Sequence, residues 1–137
     1  MVQPIQTNVM FLQLKAERAT PADISVAQDL VDTLNANEDR CVGLAANMIG
    51  SRKAIICVRG MDGRALVMLN PKITEKGAPY ETKEGCLCFS GVRKTTRYRH
   101  IKVSYQDVNG TEHEASYFGL PAEAIQHEMD HLQGILI

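Results

Sequence analysis

Apolar residues recur along this chain with two periods. Ile24, Ala27, Leu30, Val31 and Leu34 fall at helical spacing behind Thr20-Pro21-Ala22-Asp23, where a capping threonine, a proline at the first position and a carboxylate at the third mark a helix start. This stripe predicts one N-terminal packing helix with a solvated outer face. Residues 1–19 carry no comparable pattern. Two short apolar runs, Ala54-Ile-Ile-Cys-Val58 and Ala65-Leu-Val-Met-Leu69, are joined by Gly60-Met-Asp-Gly63 and predict a buried β-hairpin, with Cys57 a small hydrophobe inside it. Asn70-Pro71 predicts a turn, and residues 73–76 a short strand. Ile101, Val103 and Tyr105 then alternate with Lys102, Ser104 and Gln106 up to Asn109-Gly110, a strong hairpin signal, so a return strand is expected over 112–118. His100 and His113 fall in these polar strands and read as surface histidines.

The last apolar stretch carries the chemistry. Pro121 and Gly134 bracket a predicted helix over residues 121–133. Ile125, Met129 and Leu132 give it an apolar face, so it should lie buried among strands. His127 and His131 stand four apart and share another face, where two imidazoles hold one metal ion. Glu128 is rotated from His127 by roughly 100°, a place for a carboxylate that handles the proton of a water at the metal without ligating the metal itself. Zinc peptidases with a His-Glu-x-x-His helix take their third ligand downstream, either a distant Glu or a later His. Ile137 occupies the position of that later His, so the third ligand is expected upstream, among the cysteines. The expected fold is α+β: antiparallel sheets packed around a central C-terminal metal-binding helix, with one N-terminal helix, in a single domain spanning 1–137.

Composition narrows the partners. Lys and Arg number 15 and Asp and Glu 16, a net charge of −1, and they are scattered rather than striped. No direct nucleic-acid contact and no membrane attachment are expected, which leaves a small molecule or a peptide. The N-terminal residues lack a charged region followed by an apolar one, and no apolar run approaches the ~20 residues of a span. The expected location is cytoplasmic. There the four cysteines, Cys41, Cys57, Cys86 and Cys88, are expected to be buried thiols, ligands or nucleophiles rather than disulfides. Two segments stand apart. Residues 41–50 are small, apolar and bounded by glycine, neither a solvated loop nor a good strand, and suit close packing or close approach to a ligand. In residues 80–91, Cys86 and Cys88 point to one side if the chain is extended, and either can reach the metal.

Gly43-Leu44-Ala45-Ala46, Glu84-Gly85-Cys86-Leu87 and Gln126-His127-Glu128-Met129-Asp130-His131, in this order and spacing, resemble the three-part pattern of the peptide deformylase family. The likeness runs from about residue 20 to the end. It implies Cys86, His127 and His131 as metal ligands, choosing Cys86 over Cys88, with Glu128 as general acid/base. It implies iron(II) as the metal, with zinc, nickel or cobalt able to occupy the same site. The implied reaction removes the formyl group from the N-terminal formyl-methionine of newly made polypeptides. N-formylmethionyl peptides or nascent chains, and the ribosome, are the implied partners. The Leu87 backbone N–H is implied as an oxyanion donor, Glu84 and Arg97 as an ion pair, and Gly43, Leu44, Met48 and Gly85 as substrate contacts. Two positions depart from the family pattern. Its first part ends in a glutamine whose amide donates to the oxyanion, and Met48 stands there, with no proton to donate. This leaves an alternative, a deformylase-like protein with little turnover that binds a metal or a peptide N-terminus. Its second part continues with serine, one residue and proline, where this chain has Cys88-Phe89-Ser90.

Overall fold

The computed structural model describes residues 1–136, and at Phe89 the backbone alone. Five strands form one antiparallel sheet in chain order: β1 (Gly43–Ala45), β2 (Ile55–Arg59), β3 (Ala65–Cys86), β4 (Phe89–Gln106) and β5 (Glu112–Phe118). Three α-helices accompany it, α1 (Val9–Leu12), α2 (Ile24–Ala36) and α3 (Gly119–Leu132). The short α1 falls where the sequence shows no pattern; the Asn8 side chain caps it by accepting from the backbone N–H groups of Met10 and Phe11. Helix α2 begins as expected. Thr20 Oγ1 accepts from Ala22 N at 3.3 Å and Asp23 Oδ2 accepts from Thr20 N at 2.9 Å, a reciprocal cap. Ala27, Leu30 and Leu34 are buried, whereas Ile24, at the stripe's first position, is exposed.

The β2–β3 and β4–β5 hairpins lie where the alternation places them, but β3 and β4 are far longer than the patterns suggest. Asn70-Pro71 is not a turn. The ladder shifts register between Leu69 and Lys72, Asn70 adopts φ 51°, and β3 continues through a bulge, the place in a sheet that tolerates a proline without a donor. Asn70 also binds the incoming chain: its Oδ1 accepts from Ala19 N at 2.8 Å and its Nδ2 donates to Ala19 O at 2.9 Å. The segment over residues 41–50 does contain a strand, β1, and then a 3-10 turn at Ala46–Ile49 that ends at Gly50 with φ 88°. Helix α3 starts two residues earlier than its proline suggests and packs against β1, β2, β4 and β5. Its Ile125 joins Leu30, Leu34, Leu44, Ile55 and Met68 in one core between the helices and the sheet. Among the described residues, no helix is long and apolar enough to cross a membrane.

Candidate active site

Helix α3 brings His127, Glu128 and His131 to the end of β3, where the strand stops at Cys86 and the chain turns through Leu87 and Cys88 into β4. The Cys86 sulfur and one nitrogen from each histidine lie within 4.8 Å of one another, and Cys86 Sγ is 3.3 Å from His131 Nε2. Each approach has a visible cause. Gln126 brackets the β4 backbone at Tyr98: its Oε1 accepts from Tyr98 N at 2.9 Å and its Nε2 donates to Tyr98 O at 2.9 Å. The side-chain amide thus serves as one residue of an extra strand and sets the distance between helix and sheet. At the far end of α3, Asn47 Nδ2 donates to His131 O at 3.0 Å.

A buried ionic network orients the first histidine. Glu84 Oε1 lies 2.7 Å from His127 Nδ1, so this nitrogen donates to the carboxylate and Nε2 is left to face the cleft as an acceptor. Arg97 Nη2 donates to Glu84 Oε1 at 2.7 Å and its Nη1 to Asp130 Oδ2 at 2.7 Å; Glu84 and Arg97 are both buried. Burial alone would raise the Glu84 pKa, but the hydrogen bonds from His127 and Arg97 outweigh it and hold the carboxyl well below the usual carboxylate range. The Cys86 sulfur is pushed down to about 2, first by a hydrogen bond from the Cys88 thiol and then, against burial, by His127 and His131. Burial would lower His127, yet Cys86 and Glu84 carry it up to about 10. A cation held by these donors would take the place of the protons they share. One thiolate and two imidazole nitrogens form a donor set suited to a divalent transition metal.

The cluster opens into a cleft of about 640 Å³ lined by Gly43, Met48, Gly85, Leu87 and Glu128 among others. Glu128 is 4% exposed, and its Oε1 has no hydrogen-bond partner among the described residues. Burial pushes its carboxyl up to about 7, against the pull of the two histidines. A Cβ on Gly43 would lie 3.0 Å from Glu128 Oε2, so only glycine lets β1 pass this close. Met48 is buried, and its sulfur accepts from Ala45 N at 3.4 Å.

Of the residues the sequence nominates, Cys86, His127, His131 and Glu128 come together, and Gly43, Met48, Gly85 and Leu87 line the cleft beside them. Leu44 does not. It pairs with Cys57 in the β1–β2 ladder and its side chain is wholly buried in the core, because successive side chains of a strand face opposite ways. Cys41 and Val42, immediately before β1, line the cleft instead, as do Leu120 and Glu123 from α3. The small, apolar segment over residues 41–50, suited to close approach to a ligand, was the signal for Cys41 and Val42; nothing marked Leu120 or Glu123. Cys88 is buried and is not one of the clustered donors. His100 and His113 are exposed, and His113 Nε2 sits 2.8 Å from Asp107 Oδ2.

Comparison with known proteins agrees with this geometry. The family model described as polypeptide deformylase matches residues 4–137. A peptide deformylase of Clostridium beijerinckii is 48% identical over 137 residues, the whole of both chains. Peptide deformylase 1 of Clostridium perfringens is 41% identical over 113 residues, covering 81% of this chain and 76% of that protein. Among solved structures, the Met-Ala-Ser-bound class I type b peptide deformylase of Acinetobacter baumannii superposes with a TM-score of 0.88 at 29% identity, covering 99% of this chain and 97% of that one. The actinonin-bound form of the same enzyme gives 0.87 at 29% identity, with 99% and 95% covered. With its fold, its clustered donors and these relatives in agreement, the chain belongs to the polypeptide deformylase family of metal-dependent hydrolases.

Proposed function

We propose that this chain removes the N-formyl group from the formyl-methionine that begins newly made polypeptides, with Glu128 as the proton carrier. The observation that carries this reading is the Glu128 carboxyl, buried beside the three donors with one oxygen unpartnered at the cleft. A site that only stored a metal would gain nothing from burying such a group. Cys86, His127 and His131 would hold one divalent ion, which we assign as iron(II), with zinc, nickel or cobalt able to replace it. When bound, the ion supplies a Lewis acid that polarises the formyl carbonyl and lowers the pKa of water towards ~7. Glu128 takes the proton from the attacking water and returns it to the leaving amine, a transfer suited to a carboxyl whose pKa lies near 7. The Leu87 backbone N–H donates to the oxygen on which charge develops. Glu84, fixed by Arg97, keeps the His127 ring in one tautomer and one orientation.

The substrate's path follows from the sheet. β1 is its terminal strand, and its Gly43 end lines the cleft. An extended peptide adds to such an edge through main-chain hydrogen bonds, which suits many nascent chains with one shared terminus. Nascent polypeptides, met at the ribosome in the cytoplasm, are the partners this reading assigns. Met48 favours a second reading, a protein that binds a metal or a peptide terminus with little turnover. Formate release from formyl-Met-Ala-Ser, by protein purified anaerobically with iron(II), separates the two. We expect turnover that disappears on chelation and returns with the metal; no turnover in fully loaded protein would favour the second reading.

A further inference from the structure

Cys88 is the one residue of the second motif that the hydrolytic reading does not use. In this chain a thiol occupies the position where the family pattern has a serine. The strand does not run extended through it, since Cys86 is paired with Phe89 across a two-residue turn formed by Leu87 and Cys88. That turn folds the Cys88 side chain back on its neighbour, and the two sulfurs are in hydrogen-bond contact. Their exposures differ in a way that gives each a separate part. Cys86 is half-buried and lines the open cleft, whereas Cys88 is 3% exposed and does not line it. A small oxidant entering the cleft meets the Cys86 sulfur first, with Cys88 behind it.

We propose that Cys86 and Cys88 form a peroxide-reactive pair, in which Cys86 is the sulfur attacked and Cys88 the resolving thiol that closes a reversible disulfide. In the first step the Cys86 sulfur attacks one peroxide oxygen. The O–O bond breaks, Cys86 becomes a sulfenic acid, and the second oxygen leaves as hydroxide, which takes a proton from solvent to become water. In the second step the Cys88 sulfur attacks the Cys86 sulfur. The S–O bond breaks, the S–S bond forms, and the hydroxyl leaves as water with the Cys88 proton. Two thiols are oxidised by two electrons in all, and one peroxide is reduced to two waters. The disulfide withdraws a donor from the cluster and so releases the metal, but it stops the sulfur short of the sulfinic and sulfonic acids that thiols do not reverse. Cys41 also lines the cleft, but burial pushes its thiol up to about 11, and it is the internal comparison for selectivity.

The test uses zinc-loaded protein, in which the metal performs no redox chemistry, exposed to a small excess of hydrogen peroxide and followed by intact mass, peptide mapping and zinc release to a chromogenic chelator. The wild type should lose about 2 mass units, map the link to Cys86 and Cys88, release zinc in step, and recover both mass and zinc after dithiothreitol. Cys88→Ser should instead gain roughly 32 or 48 mass units on Cys86 and stay oxidised after dithiothreitol. Wild-type protein that gains those same masses on Cys86, or that links Cys86 to Cys41, would overturn the proposal, and this result requires no variant to fold. The readouts are independent of formate release, so a failure here leaves the hydrolytic reading standing, and the reverse holds too.

Discussion

Met48→Gln should make this protein a faster enzyme. Met48 lines the cleft but is 1% exposed, and its sulfur accepts the Ala45 N–H at 3.4 Å. A thioether is a weak acceptor and never a donor. Glutamine has nearly the same length, and its carbonyl oxygen can take over the Ala45 N–H as the better acceptor. Its amide nitrogen is then directed towards the cleft. One donor aimed at a developing oxyanion is worth about 10²–10³ in rate. In the substrate-free protein that N–H has little water to bind, which costs about 1–3 kcal/mol and should lower the melting temperature by several degrees. With allowance for imperfect aim, the threshold is tenfold in kcat/KM, about 1.4 kcal/mol of transition-state stabilisation. The gain should fall in kcat, because the donor is satisfied only as charge develops. The assay is formate release from formyl-Met-Ala-Ser by iron(II)-loaded protein, with metal content and circular dichroism matched to wild type. An unchanged or lower kcat/KM in a folded, loaded variant would refute the oxyanion argument.

Three further perturbations bear on the supports of the site. Arg97→Ala strands the buried Glu84 carboxylate; thermal melts should show a loss of about 3–5 kcal/mol, and chelator competition a metal affinity weaker by about 10–100-fold, whereas a loss under ~1 kcal/mol would contradict the network's role. Gly43→Ala puts a methyl 3.0 Å from Glu128 Oε2 and 3.1 Å from Val58 Cγ1; crowding the buried Val58 should lower the melting temperature, displacing the carboxylate should cut kcat about tenfold or more in the folded protein, and an unaffected kcat would show that the contact is not restrictive. Glu123 is pushed up to about 7 by burial and by the neighbouring Glu84 carboxylate. Because the folded protein holds this proton above the ordinary carboxylate range, the native state binds more protons than the unfolded chain between about pH 4.5 and 7, and stability falls as pH rises through that window. Glu123→Gln removes this dependence, so the variant should melt progressively higher than wild type from pH 5 to 8; a pH-independent difference would contradict it.

The sequence announced the chemistry more fully than the scaffold. His127, Glu128 and His131 were legible because helical spacing alone places them, and the paired motif around Cys86 supplied the third donor through its family likeness. The β4–β5 hairpin was equally legible, since Asn109-Gly110 and strict alternation act locally. What escaped was set by tertiary partners. The bulge at Asn70 depends on Ala19 and Gln106, and Gln126 replaces a strand beside Tyr98. Neither is visible in local propensity. Leu44 shows a related limit: its motif says that the segment approaches the site, but only pairing with Cys57 decides which side chains turn into the core.

The most direct test of the central account is formate release by Glu128→Ala, compared with wild type at equal iron(II) content per chain. The account predicts that the variant binds its metal and loses at least about 10² in kcat, since the three donors are intact and only the proton carrier is gone. A loaded variant that turns over at the wild-type rate would contradict it.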